Sequence, residues 1–282
     1  MKRLRHYTKG TAIVLSCFGS VVEQRRYQEL MGKVQSRYPQ CEVRMAVSSR
    51  MVIKKLAAKG QEYQHLPSVL ASLDMEGYQR ILVVSCYVFP TDEHKQVEMI
   101  VEGFRNFSLS AIEYTPAIVH HTHRASDLLS GMNKRFAEGS DINLFIHHGA
   151  PYLDNAGHQA IDYCDNLLSR LSEKNISCSL EGAMPFDLVK AEVQRRIESL
   201  NSDTALLLRI IPLLLVSGNH FVKDMVEIKT QLSDLCDVQI AEGEDGESFN
   251  LLSTKEVTDI IFTQIDQGLI RLKAPAEEAN GG

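Results

Sequence analysis

No two of the six cysteines, Cys17, Cys41, Cys86, Cys164, Cys178 and Cys236, stand in a C-x-x-C pair. That tells against a zinc ribbon or a cysteine-held iron–sulfur cluster and leaves the thiols as small buried hydrophobes. No apolar run approaches the ~20 residues that span a bilayer; the longest, "ALLLRIIPLLLV", is broken by Arg209 and Pro212. The basic start "MKRLRHYTKG" leads into a short apolar run without a small-residue cleavage pattern, so neither a signal peptide nor a membrane role is expected and the expected address is the cytoplasm. Lysine and arginine are not gathered into runs and the formal net charge is -6, which disfavours nucleic acid as a partner. P-loop, G-x-G-x-x-G, G-x-S-x-G and H-E-x-x-H patterns are all missing, which weakens nucleotide-binding, hydrolase and zinc-protease readings together.

What is present is a series of short, nearly continuous apolar runs: "AIVLSCFG", "RILVVSCYVF", "INLFIHHGA" and "ALLLRIIPLLLV". Runs of that length without alternation suit parallel strands buried on both faces. Amphipathic stretches such as "VVEQRRYQELMGKVQSRY", "DNAGHQAIDYCDNLLSRLSEK" and "PFDLVKAEVQRRIESL" lie between them. Alternation of the two signals predicts an α/β protein with parallel sheets. The order also repeats: Gly19 to Ser49 is 30 positions and Gly149 to Glu181 is 32. The expected architecture is therefore two similar doubly wound domains facing a central cleft. The first is placed at residues 1–132 and the second at 133–273, with a break at the turn-rich "SGMNKRFAEGSD". The segment "TKEVTDIIFTQIDQGLIRL" reads as a last helix packing back on the body, "AEGEDGES" as an acidic surface loop, and 274–282 as a disordered tail.

In doubly wound sheets ligands bind beyond the carboxyl ends of the strands. The residues there are His147, His148, Glu181, Asn219 and His220 in the second half, and Ser16, Ser48 to Arg50, Asp92, Glu93 and His94 in the first. Two imidazoles and a carboxylate converging at one point suit a borderline divalent cation such as cobalt, nickel, iron or zinc. An imidazole in the same place could accept a proton near neutral pH. Neighbouring strand residues face opposite sides, so only one of His147 and His148 can enter the cleft; His148, next to the glycine, is expected to, and His147 is expected to be structural. "HHTHR", His120 to Arg124, is read as a polar loop at the cleft mouth. Arg50, Lys54 and Lys55 are either a solvated helix start or a binding set for ligand carboxylates.

At "FIHHGAP", "LEGAMP", "PLLLVSGNHFVKDM", "VSSRMVIKKL" and "PTDEH" the chain resembles the sirohydrochlorin cobaltochelatases of anaerobic cobalamin biosynthesis, which are class II tetrapyrrole chelatases. The resemblance runs from "VLSCFGS" to "VSGNHFVKDM". It implies a tetrapyrrole substrate in the cleft and a metal substrate, Co(II), or otherwise Fe, Ni or Zn, held by His148, Glu181 and His220. It further implies Glu93 on the opposite side of the cleft. The chemistry of insertion then makes His148 the expected principal base, His220 a second ligand or base and Arg50 a partner of a substrate carboxylate, and the missing phosphate-binding motifs predict no nucleotide. Three other readings stay open at this point: a non-catalytic tetrapyrrole or metal carrier on the same fold, a chelatase for Fe(II) or Ni(II), and a periplasmic-type solute-binding protein. Assembly into a homo-oligomer also stays open.

Overall fold

The computed structural model describes residues 5–200, 206–243 and 246–273, with the side chains of Asn219 and His220 also outside the described residues. In the first half the strands are β1 (Lys9–Cys17), β2 (Glu42–Val47), β3 (Tyr78–Ser85) and β4 (Ala111–Tyr114). The helices are α1 (Gln24–Arg37), α2 (Arg50–Ala57), α3 (Leu66–Met75), α4 (Asp92–Arg105) and α5 (Thr122–Arg135). The second half has β5 (Ile142–His147), β6 (Asn175–Ser179), β7 (Leu207–Pro212) and β8 (Asp237–Ile240). Its helices are α6 (His158–Leu171), α7 (Phe186–Leu200), α8 (Asn219–Leu232) and α9 (Lys255–Arg271).

All strand pairs are parallel, and the two sheets have the same order, β2-β1-β3-β4 and β6-β5-β7-β8. These are two α/β domains of like topology, as the repeat of signals predicts. Every residue of β5 is buried, which is why its run shows no polar alternation. Successive residues of a strand feed different cores. Ile13, Leu15 and Leu82 join Phe145, Ile211 and Ile261 in one core shared by both halves. Val14 and Ile81 pack outward with α3 and α4, and Leu144 and Ile210 pack outward with α7 and α8. A continuous apolar core between the sheets favours a fixed mutual placement over a hinge.

Helix α9 crosses to the first-half sheet: the Gln264 amide donates to the Ala117 carbonyl at 3.1 Å, and Gly268 lies against the Leu82 side chain. Two features differ from the sequence reading. Each sheet has a fourth strand, β4 or β8, only four residues long and partly exposed, too short to show a periodic signal. The acidic loop is not merely solvated, because Glu247 pairs with Arg25 at 2.7 Å and with buried Arg26 at 2.6 Å, tying the second half to α1. Residues 244–245 of that loop and the tail 274–282 lie outside the described residues.

Candidate active site

The carboxyl ends of the two sheets open on one cleft of about 390 Å³, lined from both halves, within the usual range for a small-molecule site. Backbone hydrogen bonds carry the strand pairing one step past β5 and β6. The Leu180 N–H donates to the His147 carbonyl and the Glu181 N–H to the His148 carbonyl, both at 3.0 Å. Glu181 and His148 are thereby set side by side at the cleft, which both line.

Two glycines allow the close approach. Gly149 has φ +88° and Gly182 φ +85°, and a Cβ on either would run into the carbonyl of Glu181 or Ala150 respectively. Left-handed φ and backbone contact together require glycine here. Met184, in the same "EGAMP" loop, has φ 55°; its carbonyl accepts from the Ser179 N–H at 3.0 Å, closing the loop over the end of β6.

The first half repeats this frame with other side chains. The Ser48 N–H donates to the Cys17 carbonyl at 2.9 Å and the Ser49 N–H to the Phe18 carbonyl at 3.3 Å. Gly19 follows with φ +87°. Phe18 therefore stands where His148 stands in the second half, and Ser49 where Glu181 stands. Ser49 caps α2, accepting from the Val52 N–H at 3.3 Å, so its polarity serves the helix start.

The described residues lining the cleft include three carboxylates, Glu93, Glu181 and Asp224, one ammonium, Lys55, and the imidazole of His148. That balance attracts cations. His148 and Glu181 are exposed and Glu93 is half-buried, its carboxylate accepting from the Thr91 hydroxyl at 3.0 Å. The rest of the surface is apolar or aromatic, with Phe18, Met51, Tyr87, Phe89 and Phe221 among its residues. Cys86 also lines it, but burial pushes its thiol up to about 12, so it offers no thiolate and the donor set is nitrogen and oxygen. The halves are fastened beside the cleft: the Ser20 hydroxyl donates to the Ser217 carbonyl at 2.8 Å, and the Ser217 N–H donates to Glu23 at 2.7 Å. On the other side the Asn155 amide donates to Asp92 at 2.9 Å.

The remaining candidates separate. His147 is buried, 3.2 Å from the Asp165 carboxylate and edge-on to Phe89. His220 sits in the first turn of α8, with its side chain outside the described residues. Among the described residues no three His, Cys, Asp or Glu side chains form a group with metal-holding geometry. Arg50 is exposed at the start of α2 and is not among the residues lining the cleft; Lys55, on the same helix, is. Asp92 is held by Asn155, and His94 turns inward, with its Nδ1 2.7 Å from the Ser85 hydroxyl and its Nε2 3.4 Å from Glu98. Burial lowers the His94 pKa and nearby His120 adds to this, against the opposing pull of Glu98. His120, His121 and His123 form an exposed ring cluster at the start of α5, with His121 edge-on to His120 at 4.9 Å and stacked on His123 at 5.7 Å between centroids. Asp224 was not singled out in the sequence; its signal was its place four residues after His220, one turn along the same helix.

Two like-ordered parallel sheets closing on a cleft at their carboxyl ends are the architecture of the chelatase fold. Residues 11–235 match the cobalt chelatase (CbiK) family, and the chain belongs to that family. Among solved structures it is similar to SirB from Bacillus subtilis with Fe3+, at 15% identity over 93% of this chain and 96% of that one, TM-score 0.64. It is also similar to the sirohydrochlorin chelatase SirB from Bacillus subtilis subspecies spizizenii in complex with cobalt, at 13% identity over 93% and 95%, TM-score 0.59. A third is CbiX, described as the terminal enzyme for biosynthesis of siroheme in denitrifying bacteria, at 12% identity over 91% and 98%, TM-score 0.55. At these identities the likeness establishes the fold. No helix among the described residues is long and apolar enough to cross a membrane.

Proposed function

We propose that this chain inserts Co(II) into sirohydrochlorin, without a nucleotide, in anaerobic cobalamin biosynthesis. The observation that carries the reading is the adjacent setting of His148 and Glu181 on a cleft whose opposite wall is largely apolar and aromatic, in a member of the cobalt chelatase family. Both the metal and the tetrapyrrole are substrates. Insertion needs loss of two pyrrole N–H protons and stepwise removal of the metal's other ligands. His148 is assigned as ligand and principal base, because an imidazole nitrogen can hold a cation or take up a pyrrole proton. Glu181 offsets cation charge while water leaves, and His220 is the second ligand or base. Glu93 on the first-half wall is a proton acceptor across the cleft. The apolar wall holds the macrocycle face, and Lys55, which lines the cleft where Arg50 does not, pairs with its carboxylates.

The same fold is seen with Fe3+ in one SirB structure and with cobalt in another, which supports Fe(II) as the second reading for the metal. An imidazole–carboxylate set binds these ions in an affinity order that supply can override. The test is to mix protein and sirohydrochlorin with Co(II), Fe(II) or Ni(II) in parallel and follow the absorbance change. Multiple turnovers with Co(II) are expected. Binding without turnover for every metal would make the protein a carrier.

A further inference from the structure

The loops that leave the third strand of each sheet start in the same register. The Cys86 N–H donates to the Ser16 carbonyl and the Leu213 N–H to the Ile146 carbonyl, each at 2.8 Å. Each loop runs into a helix, α4 from Asp92 and α8 from Asn219. The second residue of that helix is Glu93 in one half and His220 in the other. The proton acceptor of the first-half wall and the second ligand of the second-half wall therefore occupy equivalent backbone positions.

Both helix starts are held by the opposite half. From the first half, the Ser20 hydroxyl donates to the Ser217 carbonyl at 2.8 Å, and the half-buried Glu23 carboxylate accepts from the Ser217 N–H at 2.7 Å. Ser217 stands two residues before α8. From the second half, the buried Asn155 amide donates to Asp92 at 2.9 Å. Beside it Gly157 packs so closely that a Cβ there would meet the Thr91 side chain and backbone. Thr91 directly precedes α4, and its hydroxyl donates to the Glu93 carboxylate at 3.0 Å. The core shared by both halves and the crossing of α9 already fix the mutual placement of the sheets. What these ties add is local: they set where α4 and α8 begin at the cleft, which Ser20, Thr91 and Gly218 all line.

We infer that Glu23 and Asn155 are positioning residues for metal insertion. Each sets, from one half, the helix start that carries a reacting group of the other: His220 for Glu23, and Glu93 for Asn155. This rests on the chelatase reading and deepens it. Neither residue lines the cleft; both act through backbone or side chains that they hold, as partners behind a ligand do.

The test is steady-state insertion into sirohydrochlorin of the metal that wild type turns over, Co(II) on the reading above. The readouts are kcat and the tetrapyrrole KM, taken well below each Tm. Glu23→Ala is expected to lower kcat about tenfold or more, with KM within about twofold. Glu23→Gln, whose side-chain carbonyl can still accept from the Ser217 N–H, should return kcat to within about threefold of wild type. Asn155→Asp keeps the acceptor that the Gly157 N–H uses at 2.9 Å but sets a carboxylate against Asp92, and should lower kcat likewise. Arg25→Gln removes a different tie between the halves, the exposed pair with Glu247, and should leave kcat within about twofold. Unchanged kcat in Glu23→Ala or Asn155→Asp, no rescue by Glu23→Gln, or an equal loss in Arg25→Gln would overturn the positioning role. Failure of wild type to turn over with Co(II), Fe(II) and Ni(II) alike would overturn the chelatase reading and the positioning role with it.

Discussion

The two walls of the cleft are built on one backbone plan and carry different side chains at matched positions. Past the central strand of each sheet comes a residue, then a glycine at φ +87° or +88°, and across from them a residue hydrogen-bonded to the first. In the first half those two residues are Phe18 and Ser49, an exposed aromatic ring and a helix cap. In the second they are His148 and Glu181, a metal-competent donor pair. On the proposed reading, a doubled fold supplies a platform for a flat apolar ligand on one side and a cation-holding edge on the other. What differs is a handful of side chains on the same hydrogen bonds.

The largest effect is expected where the frame itself is broken. Gly149→Ala places a Cβ into the Glu181 carbonyl at a left-handed φ. The conformation alone costs about 1–2 kcal/mol, and the backbone shift should separate His148 from Glu181. Denaturant melts should show the destabilisation, and insertion assays a near-complete loss of turnover; Gly19→Ala, whose Cβ would meet the Val47 and Val52 side chains first rather than backbone, should keep more activity. Next is Glu181→Gln, which keeps the backbone bond and removes the charge. It should lower turnover about 100-fold or more with an unchanged melting temperature, since this exposed carboxylate has no partner among the described residues.

A smaller effect sharpens the first-half wall. Lys55→Gln is expected to raise KM for the tetrapyrrole about threefold to tenfold, and Arg50→Gln to leave it within about twofold, as befits a solvated charge. Reversal of that order would put the carboxylate contact back at the start of α2. The smallest effect concerns His94. Burial favours its neutral form, so its folded pKa lies below the ordinary 6.5. The unfolded chain then takes up the proton first, and the stability contribution is full above pH 6.5 and is lost as pH falls toward the folded pKa. His94→Gln should flatten the fall in stability between pH 7.5 and 5.5, read from denaturant melts across that range.

Much of this was legible from residues alone because parallel strands buried on both faces write their interior as continuous apolar runs. The polar residues past each run then mark the ligand end, and His148, Glu181 and Glu93 stand there. The four-residue edge strands were not legible, since "AIEY" and "DVQI" are too short for a period. Nor was the choice between Arg50 and Lys55, which depends on how α2 is rotated about its axis once Val52 and Leu56 are buried. His94 next to Glu93 looked like one polar cluster, but a helical turn sends neighbours to different sides, and it faces Ser85 instead.

On the proposed reading the second-half wall holds the metal, while the first-half wall carries the proton acceptor Glu93 and aromatic contacts to the macrocycle. The most direct measurement is kcat for Co(II) insertion together with the Kd for metal-free sirohydrochlorin in His148→Ala. The account predicts at least about a 100-fold fall in kcat with Kd within about threefold of wild type and the fold intact, as expected for an exposed side chain. Unchanged turnover, or a loss carried entirely by Kd, would contradict it.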